Sequence, residues 1–77
     1  MIKGLIFKVT DLNGYAIHIE LLGKNVRMEN APVVGEQYSM QLDNDTYIDT
    51  PEVTNYLLKS QVLVVTTIES IYTIHIT

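Results

Sequence analysis

The chain has no cysteine and no tryptophan, only two prolines, and a single arginine, Arg27. Without cysteine, neither a disulfide nor a thiolate metal site can supplement the core. At 77 residues burial is scarce as well. A domain of this size hides only about 60% of the surface its unfolded form exposes, so stability must come from packing or from a second subunit. Positive charge is also short. Five basic against nine acidic residues give a net charge of −4, the reverse of what counterion release along a phosphate backbone rewards, which disfavours general nucleic-acid binding. No apolar run approaches the ~20 residues of a membrane span. The stretch from Met1 to Val9 lacks the long apolar centre and small-residue cleavage site of a secretory signal. The expectation is a cytoplasmic protein with no membrane contact.

What the chain does have is strand composition. Val, Ile and Thr number 8, 9 and 8, against two Ala. β-branched side chains are stiff at χ1 and pack well on a pleated surface. No repeat, linker or low-complexity stretch divides the sequence, which reads as one β-rich domain over residues 1–77.

The first hairpin can be argued to its register. Leu5, Phe7 and Val9 alternate with Lys8 and Thr10, and Ile17, Ile19 and Leu21 alternate with His18 and Glu20. A two-residue Asn13-Gly14 turn would set Val9 against His18 and Phe7 against Glu20, core against polar, so the alternation rejects it. A three-residue loop, Leu12-Asn13-Gly14, with Gly14 left-handed in a bulge, pairs Val9 with Ile17, Phe7 with Ile19 and Leu5 with Leu21. The C-terminal segment predicts a second hairpin reversing at Glu69-Ser70, with Leu63, Val65 and Thr67 facing Tyr72, Ile74 and Ile76. That turn lacks Gly or Asn, which suits a wider loop. The opposite face, with Val62, Val64, Thr66, Ile68, Ile71, Thr73 and His75, is too apolar to be left in water, and a homo-oligomer is expected to cover it.

Between the hairpins, Val26 and Met28 alternate with Arg27 and Glu29, and Tyr38, Met40 and Leu42 mark another strand. Asp43-Asn44-Asp45-Thr46 is a polar turn. Residues 50–59 read two ways: Thr50 as N-cap with Pro51 at the first helical position, or an extended segment. Five to six strands with at most one short helix near 50–59 give an all-β fold, a small barrel or sandwich.

Thr50-Pro51-Glu52-Val53, followed by Thr67-Ile68-Glu69-Ser70-Ile71-Tyr72, resembles a pattern in small β-rich proteins of bacteriophages and mobile elements. There a Thr-Ser-x-Val strand precedes a hairpin reading Thr-x-Asn-Ser-x-Tyr. Pro51 stands where Ser is usual, and Glu69 where Asn is usual. The resemblance implies a compact barrel-like fold, a phage or prophage origin and roles that include antagonism of host defence.

Catalytic and metal chemistry find little to build on. His18 and His75 are the only histidines, both expected on outward strand faces. Asp43, Asp45 and Asp49 suggest a calcium loop, but Tyr47 and Ile48 occupy the places of a ligand and the sharp-turn Gly. Ser39, Ser60 and Ser70 lack a Gly-framed turn, and Ser70 and His75 lie apart along one strand. No enzyme activity, metal or cofactor is expected. Recognition residues are easier to name. Tyr15, Tyr47 and Tyr56 lie at segment boundaries, where a ring can stack on a base or anchor a partner, whereas Tyr38 and Tyr72 fall in phase with the core. Arg27 projects opposite Val26 and Met28, available to a phosphate or carboxylate, or held in a surface ion pair with Glu29 or another carboxylate. Thr67 and Ser70 offer hydroxyls at a turn. Two functions fit: an oligomer sequestering a nucleotide-derived host immune signal through Arg27, Tyr15, Tyr47, Tyr56, Thr67 and Ser70, or a protein-binding inhibitor of a host defence enzyme. An oligonucleotide-binding barrel comes third, because its basic groove is missing.

Overall fold

Six segments form strands in the computed structural model, which describes residues 1–77. The strands are β1 (Ile2–Asp11), β2 (Asn25–Met28), β3 (Gln37–Leu42), β4 (Tyr47–Lys59), β5 (Val62–Thr67) and β6 (Ser70–Ile76). All neighbours are antiparallel, and β6 returns to β1, so the sheet closes into a barrel in chain order. Closure removes most of the sheet edge that would otherwise invite further pairing, although β2 and β3 are joined at only two residue pairs. Alternate residues point inward, as a period of two requires. Ile6, Val9, Val26, Met28, Met40, Val53, Val65 and Ile74 fill the interior with Tyr38, Leu63 and Tyr72. No helix is long and apolar enough to cross a membrane.

The first hairpin forms its predicted turn and then departs from prediction. Gly14 has φ +92°, its N–H donates to the Asp11 carbonyl at 3.1 Å, and Thr10 bridges Ala16. Ile17 N–H donates to Val9 O at 3.0 Å, keeping the expected Val9 to Ile17 register. Beyond Ile17 the strand is lost. His18 turns left-handed (φ 50°), and Ile19–Leu21 make a 3₁₀ turn. The cause lies in β1. Its pairing with β6 slips between Ile6 and Lys8, so Phe7 is the extra residue of a bulge, and the inward parity changes from Gly4 and Ile6 to Val9. Phe7, expected in the core, is 55% exposed and stacks on His75 with centroids 4.4 Å apart. Leu5 pairs with Asn25 of β2 rather than with Leu21.

In the C-terminal hairpin the inward face is Leu63, Val65, Thr67, Tyr72 and Ile74, as read, but Leu63 pairs with Ile74 and Val65 with Tyr72. The reversal is therefore at Ile68-Glu69, one residue earlier than expected, and it is tight rather than wide. Thr67 Oγ1 explains it. It accepts Ser70 N–H at 2.9 Å and Glu69 N–H at 3.2 Å, giving this turn the local hydrogen bonds that Gly or Asn would otherwise favour.

Residues 50–59 are strand throughout. Thr50 and Pro51 together oppose Tyr38 at a bulge between β3 and β4, where a residue without N–H costs no ladder bond. The fully buried Thr50 accepts Tyr38 N–H with its hydroxyl at 3.0 Å. A second shift between Val53 and Asn55 lets β4 pair β3 with its first half and β5 with its second.

Candidate functional site

β2 and β3 barely pair: only Val26 with Leu42 and Arg27 with Gln41. The Tyr38 ring is in the core, and its hydroxyl reaches across the gap to donate to the Asn30 carbonyl at 2.7 Å. Burial pushes the Tyr38 phenol up to about 12, which keeps it protonated and donating. Two residues on, the buried Pro32 has no N–H to offer.

The gap is a cleft of about 300 Å³, lined by Arg27, Glu29, Glu36, Ser39, Gln41 and Tyr47 among others, with Met1 and the Asn30–Val33 stretch at its sides. Arg27 does not pair with Glu29. Its guanidinium reaches the β3–β4 turn instead, 3.4 Å from Asp45 Oδ1 and 3.9 Å from Asp43 Oδ1, and donates to Leu42 O at 3.4 Å. Gln41 Nε2 also reaches Asp45 at 3.5 Å, and Ser39 Oγ donates to Asp49 Oδ1 at 2.5 Å. Glu29 and Glu36 line the cleft with Arg27 and Met1, while Asp43, Asp45 and Asp49 stand at its rim through their contacts with Arg27 and Ser39; with Arg27 bridged to two aspartates, the charge left over is negative. The cleft is acidic. No imidazole lines it, and its chemistry is that of hydrogen bonding and charge.

Of the six residues expected to bind a ligand, Arg27 and Tyr47 come together here. Tyr15 lies apart on the first loop, 72% exposed, and Tyr56 lies on the far half of β4. Thr67 and Ser70 are buried, and their hydroxyls lie 2.9 Å apart. Their hydrogen bonds hold the β5–β6 turn, outside the cleft that Arg27 and Tyr47 share. Ser70 also borders a second cleft, of about 450 Å³, with Ile17, His18, Ile48 and Glu69. His18 is exposed beside Glu20 at 3.7 Å and lies in a loop, not on a strand face. No three His, Asp or Glu side chains converge as metal ligands would. The residues that sequence reasoning missed are Gln37, Ser39 and Gln41. Their phase opposite Tyr38, Met40 and Leu42 would have placed them on the outward row that Arg27 shares.

Compared with known proteins, the chain matches no family model, no curated protein and no solved structure.

Proposed function

We propose that this chain is a non-enzymatic binding protein that engages a protein partner at the cleft between β2 and β3 and assembles with copies of itself through the outer face of β5 and β6. The charge of the cleft carries the choice of partner. Arg27 is already bridged to two aspartates, and the remaining carboxylates repel a phosphate while attracting a basic protein segment. The outward Val62, Val64 and Ile71, with Leu57 beside them on β4, support self-association. The resemblance to small phage proteins supports a setting in the host cytoplasm and a partner that belongs to host defence, inhibited by occupancy.

The second reading, sequestration of a nucleotide-derived signal, is favoured by one observation: Arg27 and Tyr47 share the cleft, and a charge partner plus a stacking ring is what a nucleotide needs. Calorimetry with cyclic and linear nucleotides, beside pull-down from host lysate, separates the two. The protein reading expects no heat from nucleotides, and a captured protein that Glu29→Lys with Glu36→Lys releases. Nucleotide binding that Arg27→Ala weakens by about 1.5 to 3 kcal/mol, the scale of a charge-assisted hydrogen bond, would establish sequestration instead.

A further inference from the structure

The cleft has a second property besides its charge: it exposes backbone. Along an antiparallel strand, successive residues direct their N–H and C=O groups to opposite sides. In β3, Leu42 N–H bonds to Thr46 O at 2.8 Å and Tyr38 N–H to Thr50 Oγ1 at 3.0 Å, so these residues turn toward β4. Gln37, Ser39 and Gln41 therefore turn the other way. Gln41 meets Arg27 of β2. Gln37 and Ser39 meet nothing, because β2 ends at Met28 and no backbone hydrogen bond joins either residue to the stretch that follows it. The carbonyls engaged in that stretch go elsewhere: that of Asn30 to the Tyr38 hydroxyl, that of Val33 to Glu36 N–H and that of Glu36 to Val53 N–H.

A barrel that is otherwise closed thus has one open length of strand edge, and the cleft lies along it. We propose that this length is a strand-addition site: an extended, lysine- or arginine-bearing segment of the partner pairs with the N–H and C=O groups of Gln37 and Ser39. The proposal rests on the protein-binding reading above. Backbone pairing supplies affinity without regard to sequence, and alternate side chains supply specificity. One set of alternate side chains would face Glu29, Glu36 and the Asp43 to Asp45 turn, which selects for positive charge. At ~3.3 Å per residue the open edge matches a segment of about three residues. Unguarded edges also attract unwanted pairing, which proteins oppose with charge. A carboxylate fence around this edge admits a basic strand and repels both an acidic one and the edge of a second barrel.

The test uses the full chain, two probe peptides (Lys-Val-Lys-Val-Lys and Glu-Val-Glu-Val-Glu) and amide hydrogen exchange read residue by residue. In the free chain the amides of Gln37 and Ser39 exchange fast while that of Met40 is protected. Saturating basic peptide is expected to slow Gln37 and Ser39 at least tenfold, and the acidic peptide to leave them unchanged. Ser39→Pro removes an N–H that β4 does not use, and should weaken basic-peptide binding more than tenfold, whereas Ser39→Ala should not. If Ser39→Pro fails to fold, Glu29→Lys with Glu36→Lys makes the same demand through charge. Exchange at Gln37 and Ser39 that stays fast with both peptides would mean that the carboxylates only guard the edge, and overturns the proposal. Protection confined to β4 and β5 overturns strand addition but leaves the protein-binding reading standing. A nucleotide that protects the same two amides overturns both.

Discussion

Two glycines answer to different physics. Gly14, at φ +92° with no atom near a would-be Cβ, is required by backbone conformation alone. Gly14→Val should lower stability by about 1–2 kcal/mol, the cost of a left-handed L-residue, with the loss visible as a lower melting temperature. Gly4 is required by space. A Cβ there would lie 2.6 Å from Ile74 Cγ2 and 2.9 Å from His75 O, and the second of these is backbone that cannot swing aside. Gly4→Ala should cost about 1–3 kcal/mol by overpacking the β1–β6 seam, and because that seam closes the barrel, amide exchange should quicken in both strands. Tyr38 adds a dependence on pH. Its phenol is pushed from 10.0 to about 12 in the folded chain, so between those values the unfolded form releases a proton that the folded form keeps. Raising the pH then favours unfolding, by at most about 1.4 kcal/mol per pH unit. The stability is intact below pH 10 and is lost as the pH climbs through 12. Chemical denaturation of wild type and Tyr38→Phe across this window checks it. The variant should be weaker at neutral pH by about 0.5–1.5 kcal/mol for the lost bond to Asn30, and the gap should close as the solution becomes alkaline.

The β4–β5 hairpin departs furthest from local preference. Lys59 pairs with Val62 across a two-residue turn, with Ser60 at φ 51° and Gln61 at φ 63°. Two left-handed residues define the turn type that Asn-Gly fits best, so Ser60→Asn with Gln61→Gly should raise stability by about 1 kcal/mol net of the entropy that glycine adds to the unfolded chain. A melting temperature that stays the same or falls would show that the tip carries no strain. The exposed Tyr56, Leu57 and Leu58 lie just before this tip. The same hairpin shows why the sequence was only partly legible. Period-two alternation announced the strand faces wherever the ladder is regular, and so Val26, Met28, Tyr38, Met40, Leu63, Val65, Tyr72 and Ile74 were readable as core. Bulges carry no such signal: the parity change at Phe7 and the doubled Thr50-Pro51 against Tyr38 depend on a neighbouring strand, and so Phe7 and the return strand after Ile17 were misread. The Gly14 turn was legible because its chemistry is local. The site was less so. Arg27 and Tyr47 were readable as residue types, but their meeting on one cleft, and the open edge beside them, depend on where β2 stops pairing with β3, which no local pattern announces.

Six strands around one core leave the barrel with an outer surface that closure does nothing to hide. Closure pairs all of the strand backbone except the Gln37–Ser39 edge of β3 and hides the inward residues, but the outward row of β5 and β6 holds Val62, Val64, Thr66, Ile71 and Thr73, all half-buried by their neighbours alone. Leu57, 58% exposed, extends the row from β4, pairing beside Val64, and Phe7 stacked on His75 extends it toward β1. Each such side chain newly covered would contribute on the order of 1 kcal/mol, and a second copy brings an equal set, as a two-fold interface requires. The chain should therefore run by light scattering at no less than twice 8.7 kDa. The outward direction of Val64 and Ile71 makes the test separable from folding. In a lone barrel Val64→Glu or Ile71→Lys sets its charge in water and leaves the circular dichroism unchanged, whereas in an assembly the same charge is buried without a partner. Both variants should consequently scatter as folded 8.7 kDa species, while Val65→Glu, whose side chain points into the core, should not fold at all. Wild-type chain that already scatters as a monomer at micromolar concentration would show that the apolar row is tolerated in water, and self-association would fall with it.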